Sequence, residues 1–231
     1  MLLDGDINFI NEEFHCDSID ADQLHNLLAA GWRHFGTHFF RYNLGYFDYD
    51  IRRVIPLRVR IADFSVSKSQ RRVLRDNQDT QIEIAPIRVT DEAIDLFERH
   101  KQRFKFGVPD SIYDFLSDDP SRIPCKSFEV DVRLDGRLIA VSYFDDAAAS
   151  VSAVYAMFDP ALAKRSLGIL TMLKEIEHAR ASGKEFYYQG YAYEGESFYD
   201  YKKRFRGTEA FDWVGNWHPY SADLSDHAGK S

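Results

Sequence analysis

The stretch SVSAVYAMFDPALAKRSLG, residues 150–168, decides the fold of this chain. Residues 151–158 are rich in β-branched and aromatic side chains, and this composition predicts a strand. Asp159-Pro160 ends the strand, because proline removes a ladder donor and aspartate favours turns. A polar turn then enters an apolar helix, whose first backbone N–H groups and dipole are free to bind phosphate.

The elements on either side of this stretch predict an α+β fold. Leucine and isoleucine recur at helical spacing up to Gly183, and residues 185–191 have the composition of a further strand. On the N-terminal side, Asp135-Gly136 joins two apolar runs, which is a strong hairpin signal. The remaining predicted elements are a helix over residues 20–30, strands and turns over 32–49, a half-buried strand over 57–61, a short helix within 65–77, a strand over 81–89, a helix capped by Thr90 and a short helix starting at Pro109.

The turn Lys164-Arg165-Ser166-Leu167-Gly168 resembles the pyrophosphate loop of Gcn5-related acetyltransferases. That loop has arginine or glutamine, two variable residues, glycine, one variable residue and then a small residue. Arg165 and Gly168 fit the pattern, whereas Leu170 stands where the small residue is expected. The resemblance implies a Gcn5-related acetyltransferase-like mixed sheet flanked by helices, with a smaller N-terminal α+β part. A plain helix cap with a packing glycine is the alternative.

A change of composition near residue 80 predicts the domain organisation. Residues 1–80 are expected to form an N-terminal domain, and residues 81–220 an acetyltransferase-like C-terminal domain. Residues 221–231, SADLSDHAGKS, have the composition of a frayed tail.

The net charge of −8 over 231 residues argues at first against a nucleic-acid partner. The charge is unevenly spread, however. Residues 50–76 hold eight basic and three acidic side chains, a net of +5, and residues 202–206 add +4. The rest of the chain therefore carries −17. Two basic clusters in an acidic chain are consistent either with a polyanion held at one place or with ordinary solvated surfaces.

Metal and membrane signals are weak in this sequence. Cys16 and Cys125 are too few for a disulfide framework or a four-cysteine metal site, and the eight histidines are scattered. No apolar run reaches 18 residues, and the acidic N-terminus lacks a signal-peptide layout. We therefore expect a cytoplasmic protein with plain thiols, no membrane partner and no cofactor. The sequence does not determine the oligomeric state.

Several motifs in order resemble the aminoacyl-tRNA–protein transferases, a family of arginyl-transferases and bacterial aspartate/glutamate leucyltransferases. The resemblance covers roughly residues 24–217. The motifs are Gly31-Trp32-Arg33, Phe40-Arg41, Pro56-Leu57-Arg58, Ser69-Gln70-Arg71-Arg72, the run from Ser150 to Tyr155, Asp159-Pro160, Ser166-Leu167-Gly168, Gly190-Tyr191 and Tyr201-Lys202-x-Arg204-Phe205. It implies transfer of leucine or arginine from aminoacyl-tRNA to the N-terminal amine of acceptor proteins with acidic N-termini, in the N-degron pathway.

One departure from the family pattern concerns metal. Members carry cysteines ahead of the Pro-Leu-Arg motif that have been tied to a metal or iron–sulfur site. Asp48, Ile51 and Val54 stand at the corresponding positions here, and the two aliphatic side chains cannot ligate metal. We predict no such metal site.

The implied reaction sets the candidate residues. An aminoacyl ester is already activated, so the enzyme must align amine and ester, stabilise the oxyanion and help the ribose hydroxyl leave. The catalytic candidates are Tyr191, Tyr193 and Lys202; the tRNA-binding candidates are Arg165, Ser166, Gly168, Lys203, Arg204 and Arg206; the acceptor-binding candidates are Arg58, Arg71 and Arg72. Lys202 and Arg204, if on a strand, would face the same side. An aromatic packing pair is the alternative for the two tyrosines, and surface solvation for Arg71 and Arg72.

Two other functions remain open from sequence. One is an acyl-CoA-dependent N-acetyltransferase that uses the same loop, against which Leu170 counts mildly. The other is an inactive relative that binds tRNA or protein N-termini as an adaptor, which the loss of the cysteines leaves open.

Overall fold

The computed structural model describes residues 8–105 and 107–220. The helices are α1 (Ala21–Ala29), α2 (Lys68–Asp76), α3 (Asp91–Lys101) and α4 (Leu167–Ala181). The strands are β1 (Asn11–His15), β2 (Arg33–Phe35), β3 (His38–Tyr42), β4 (Leu44–Phe47), β5 (Asp50–Arg60), β6 (Gln81–Pro86), β7 (Ser127–Leu134), β8 (Arg137–Asp146), β9 (Ser150–Phe158), β10 (Phe186–Tyr193), β11 (Thr208–Phe211) and β12 (Trp217–Pro219). Short 3-10 segments include Ile112–Asp114, Pro160–Arg165 and Lys202–Arg204.

Two sheets organise the described residues. The large sheet has the order β12-β11-β5-β10-β9-β8-β7-β6, with β4 paired to β5 beside this path. Its strands are antiparallel except for β9 and β10, which run parallel and are joined by α4. The small sheet, β1-β3-β2, lies in the N-terminal part with α1. This confirms the predicted α+β fold, a mixed sheet flanked by helices.

The local signals in the sequence set the ends of the elements. The Asp20 side chain accepts a hydrogen bond from Gln23 N at 2.8 Å and caps α1. Thr90 caps α3 in the same way through Ala93 N. Asp135 and Gly136 both have positive φ, as a tight hairpin turn between β7 and β8 requires. The Thr90 cap and the Asp135-Gly136 turn predicted from the sequence are therefore confirmed.

The helices cover both faces of the large sheet. Apolar side chains of α4 pack with Val130, Val132 and Ile139 on one face. Those of α3 pack with Leu138 and Val141 on the other face, since neighbouring residues of β8 alternate between faces. A third cluster joins α1 to β3 and β10. The central strands are consequently buried on both sides, which fixes the positions of the side chains at their ends.

Two predicted elements are wrong in detail. The strand predicted as half-buried over residues 57–61 is a central strand, in which Leu57, Arg58 and Val59 are all buried. The short helix predicted from Pro109 is the 3-10 turn Ile112–Asp114, because Ser111 supplies the cap by accepting from Tyr113 N.

The large sheet is continuous across residue 80. Strand β5, from the predicted N-terminal domain, pairs with β10 from the predicted C-terminal domain. The division into domains itself stays a prediction, and the predicted tail lies outside the described residues. None of the helices in residues 8–105 and 107–220 has the length and apolar character to cross a membrane.

Candidate functional site

The parallel strands β9 and β10 part along their length, and we call the gap between them the cleft. They pair only from Phe186 opposite Ser150 to Tyr188 opposite Ser152. Beyond that point β10 carries a bulge between Tyr188 and Gly190 and continues along β5, while β9 continues along β8. The backbone groups of the two strands therefore no longer pair with each other, and side chains enter the gap.

Gly190 makes room for two cations at the start of this cleft. Its φ of +88° is a conformation that favours glycine. A Cβ at this position would lie 3.4 Å from the Lys202 Nζ and 3.6 Å from the Arg33 Nη2. Both basic side chains therefore lie close to Gly190, where the absence of a side chain leaves space for them.

Arg33, at the start of β2, is anchored to β9 at the point where the strands part. Its guanidinium donates to the Ser152 Oγ at 2.8 Å and to the carbonyl oxygen of Ala153. Burial lowers the pKa of Arg33, although arginine stays protonated in proteins. From the sequence, Arg33 was recognised only as part of the motif Gly31-Trp32-Arg33, with no role of its own.

Lys202 is the candidate catalytic residue that the structure places in the cleft. Its Nζ donates to the Tyr191 carbonyl oxygen at 3.2 Å and lies 4.9 Å from the centre of the Tyr199 ring. Burial lowers the pKa of Lys202 to about 7, with a further contribution from Arg33 and an opposing one from Glu175. An amine with this pKa is partly neutral near neutral pH and can accept a proton.

The predicted geometry of Lys202 and Arg204 is wrong. They lie on a single 3-10 turn, Lys202–Arg204, and not on a strand. Because side chains two apart on such a turn point in different directions, Lys202 is half-buried in the cleft while Arg204 is exposed.

Glu175 is a buried acid that the sequence analysis missed. It lies on α4 with 1% of its surface exposed, accepting hydrogen bonds from Ser142 Oγ and Tyr187 OH, both at 2.5 Å. Burial raises the pKa of Glu175 to about 7, against the effect of these hydrogen bonds. Its signal in the sequence was a charged residue between Leu173 and Ile176, on the apolar side of the helix.

The two tyrosines predicted to be catalytic are packed. The Tyr191 hydroxyl donates to the Gly31 carbonyl oxygen at 2.6 Å, and burial raises the pKa of Tyr191. The Tyr193 ring packs against Phe47, with ring centres 4.9 Å apart. This geometry favours the packing alternative, and catalytic roles for both stay predictions.

A buried hydroxyl and an exposed cation lie on the α3 side of β9. The Tyr155 ring, on β9, stacks on Phe115 with centres 3.9 Å apart. Its buried hydroxyl has no hydrogen-bond partner within residues 8–105 and 107–220. Arg103 is exposed and lies over the Phe158 ring at 4.3 Å. Burial raises the pKa of Tyr155, and the Arg103 charge opposes this rise.

The predicted phosphate loop forms the start of α4. Ser166 has a φ of 55° and precedes the helix without capping it through its side chain. A Cβ on Gly168 would meet only the Phe158 ring, at 3.9 Å, so the space beside the first turn is open. The Arg165 guanidinium forms two 2.8 Å hydrogen bonds with Asp79. The first turn is therefore accessible, whereas Arg165 is already engaged by a carboxylate.

The remaining basic candidates lie away from any common centre. Lys203 pairs with Asp200 at 2.7 Å, and the exposed Arg206 donates to Ser65 Oγ at 3.0 Å. Arg71 and Arg72 are exposed on α2, where Arg72 pairs with Asp76.

Arg58 is a buried ion-pair residue. Its Nε donates to Glu209 at 2.7 Å, and its guanidinium lies between the rings of Phe186 and Trp217, at 3.8 and 4.3 Å from their centres. Because Glu209 and the two rings surround the Arg58 guanidinium, no face of it is free to bind the side chain of an acceptor protein.

A buried cluster of possible metal ligands does not fit a metal. His34, Cys125 and Asp145 place one ligand atom each within 4.8 Å of the others. The His34 Nδ1 lies 2.8 Å from the Gly36 carbonyl oxygen, and its Nε2 lies 2.9 Å from Asp145 Oδ2. Both ring nitrogens are therefore already engaged within the fold, and burial raises the pKa of the Cys125 thiol.

The family's cysteine-associated metal does not fit this chain either. Val54 is a buried aliphatic residue, and Ile51 is an exposed one. Neither can donate to a metal, so no chemical step is assigned to one.

The fold and the cleft define the general class of protein. A mixed sheet whose parallel central strands part around a cleft, beside an open helix start, is acetyltransferase-like. FemX shares the arrangement, with a TM-score of 0.54, 13% sequence identity and coverage of 94% of this chain and 73% of that one. At this identity the likeness concerns the fold alone.

Sequence comparisons then give the family. Residues 92–212, about half of the chain, match the model described as "Arginine-tRNA-protein transferase, C terminus". An aspartate/glutamate leucyltransferase of Helicobacter hepaticus is 30% identical over 85% of this chain and 82% of its own length. One from Gluconacetobacter diazotrophicus is 32% identical over 91% and 80%, respectively. The chain belongs to the arginine-tRNA–protein transferase family. As a member it is an aminoacyltransferase, with tRNA and protein as partners.

Proposed function

We propose that this chain transfers leucine from leucyl-tRNA to the N-terminal amine of proteins that begin with aspartate or glutamate. The product would be an N-degron, made in the cytoplasm. The single observation that carries the proposal is the half-buried Lys202 amine beside Gly190, in the cleft between β9 and β10. The names of the relatives from Helicobacter and Gluconacetobacter support the choice of leucine.

Lys202 supplies the proton transfer that the reaction needs. The acceptor α-amine has a pKa near 8 and must lose a proton when it attacks the ester carbonyl. Neutral Lys202 takes this proton as the C–N bond forms and then gives it to the ribose 3′ oxygen as the C–O bond breaks. The products are the extended protein and deacylated tRNA, so no covalent enzyme intermediate is needed.

The charges of the cleft favour an uncharged donor side chain. Arg33 is its permanent cation, and the partly protonated Lys202 beside it adds to the repulsion of the guanidinium of an arginyl donor. Glu175 is fully used by Ser142 and Tyr187, and it offers no free carboxylate. A leucyl side chain meets no such repulsion.

The acidic acceptor side chain needs a cation with a free face. We place it at Arg103, whose guanidinium is exposed beside Tyr155. Arg71 and Arg72 remain alternatives on the surface of α2. This arrangement explains a preference for aspartate and glutamate by charge complementarity.

The tRNA end is placed at the start of α4. Ser166 and Gly168 provide an open helix N-terminus for its terminal phosphates. Lys203, Arg204 and Arg206 come shortly after Lys202 in the chain, and we propose that they contact the tRNA backbone outside the cleft.

A donor and acceptor series tests the proposal. Peptides identical except for a first residue of aspartate, glutamate, alanine or arginine are incubated with radiolabelled leucyl-tRNA or arginyl-tRNA. We expect label only from leucyl-tRNA and only on the aspartyl and glutamyl peptides. N-acetylated peptides, which lack the attacking amine, are the control. Transfer of arginine, tRNA binding without transfer, or acetyl transfer from acetyl-CoA would each overturn it.

A further inference from the structure

Two positive side chains share one small space in the cleft. A Cβ on Gly190 would stand 3.4 Å from the Lys202 Nζ and 3.6 Å from the Arg33 Nη2, so both nitrogens surround the same point. Like charges that both lie within 4 Å of one point destabilise each other, and the flexible amine responds by giving up its proton, because a guanidinium does not.

The contacts of Arg33 leave its charge in place. Its guanidinium is held by a serine hydroxyl and a backbone carbonyl, Ser152 Oγ and Ala153 O, which are neutral acceptors. The acid that acts on it most is Asp145, and that carboxylate is already bonded to His34 and Ser127. Arg33 is thus fixed by the β9 backbone at the point where the strands part, with no carboxylate bonded to it there.

The other groups around Lys202 are one acid and several neutral groups. Glu175 on α4 is the acid, and it opposes Arg33. Lys202 also donates to the Tyr191 carbonyl oxygen and contacts the Tyr199 ring, neither of which carries a charge. Burial makes the largest contribution to the lowered pKa of Lys202, and among the charged groups Arg33 adds to this effect while Glu175 opposes it.

We propose that Arg33 is a positioning residue for the transfer reaction, which keeps Lys202 in its neutral, proton-accepting form through a permanent charge on the other side of Gly190. This inference rests on the proposed function for its consequence in catalysis, but not for the state of Lys202 itself. Arg33 acts through Lys202 and is not assigned a contact with substrate.

The pH dependence of transfer tests this role. Removing the charge with Arg33→Met raises the pKa of Lys202, so the neutral fraction at pH 7 falls. We expect the acid limb of the single-turnover rate to move up by about one pH unit, with about a fivefold loss at pH 7 that recovers at higher pH. Arg33→Lys keeps a charge and should shift the limb less. The α-amine of the acceptor peptide has the same pKa in every assay. A shift between the pH–rate profiles of two variants therefore reports a change in the protein.

Two further variants distinguish an electrostatic role of Arg33 from a structural one. Glu175→Gln removes the opposing charge with little change of shape, and we expect the limb to move to lower pH. Arg41→Met removes a partly exposed arginine that pairs with Glu12 and is outside the cleft, and the limb should stay in place. A uniform loss of rate at all pH values, without a shift, would mean that Arg33 only supports the fold.

A direct titration separates this inference from the proposed function. Lysine labelled with ¹³C at Cε reports the protonation of Lys202 by NMR, with Lys202→Arg used to assign the signal. We expect a midpoint near 7 in the natural protein, moved upward by Arg33→Met and downward by Glu175→Gln. Unmoved midpoints in both variants would overturn the inference even if leucyl transfer is observed. Moved midpoints without any transfer would retain it and reject the proposed function.

Discussion

Methionine in place of Lys202 should lower the rate of leucyl transfer by about 10²- to 10⁴-fold, the usual contribution of general acid–base catalysis. The change removes the amine that accepts the proton of the attacking α-amine and returns it to the ribose oxygen. Methionine keeps a similar length and an apolar stem, so it fills the space beside Gly190. The measurement is the single-turnover rate with leucyl-tRNA and a peptide that begins with aspartate.

Two controls define this result. Lys174→Met removes a lysine that pairs with Glu177 on the surface of α4, and transfer should stay within twofold of the natural rate. Lys202→Arg keeps the positive charge but cannot take up a proton, so it should be as slow as methionine. Retention of most activity by Lys202→Met, in a protein with unchanged stability, would contradict the assignment of the proton acceptor.

Arg58→Met should lower the free energy of unfolding by about 3–5 kcal/mol, which is the cost of leaving a buried charge uncompensated. Glu209 is 7% exposed and accepts from Arg58 Nε at 2.7 Å. It keeps Arg60 as a second partner at 2.9 Å, which places the expected loss toward the lower end of this range. Urea unfolding followed by circular dichroism measures the change.

Replacing an exposed arginine should cost much less free energy of unfolding than replacing a buried one. Arg72 pairs with Asp76 while its side chain is 75% exposed, so Arg72→Met should cost less than about 1 kcal/mol. Arg58→Met combined with Glu209→Gln should recover part of the stability, since no buried charge is then left without its main partner. If Arg58→Met keeps full stability but loses transfer to acidic peptides, Arg58 binds the acceptor as the sequence suggested.

The elements of the fold were predictable because their signals are local. Asp20 and Thr90 each bond a backbone N–H three residues ahead, and this geometry does not depend on the rest of the chain. Asp135-Gly136 likewise requires only a two-residue turn. A cap or a hairpin can therefore be recognised from a few neighbouring residues.

The cleft was not predictable in the same way because its parts come from distant segments. Arg33 meets Ser152, Lys202 meets Tyr191, and the meeting point exists only because β10 bulges before Gly190. Glu175 could be recognised in the sequence as a charged residue on the apolar side of a helix. Its partners Ser142 and Tyr187, however, lie on β8 and β10. Pairings of this kind depend on the register of the sheet, which single-chain periodicity does not determine.

Several basic residues of the cluster over residues 50–76 form ion pairs within the fold. Arg58 and Arg60 share Glu209, and Arg72 and Arg75 both lie within 4 Å of Asp76. Part of the positive charge of residues 50–76 is therefore matched by Asp76 within the segment and by Glu209 from β11. The cations that matter for the proposed reaction are those gathered at the parting of β9 and β10.

The most direct test of the proposed site is a crystal structure with a tRNA 3′ end analogue in which leucine is joined to the ribose by an amide. We expect the leucyl carbonyl between β9 and β10, within hydrogen-bond distance of the Lys202 Nζ, with terminal phosphates at the first turn of α4. Binding of the leucyl group elsewhere on the chain, with the space beside Gly190 unchanged, would contradict the account.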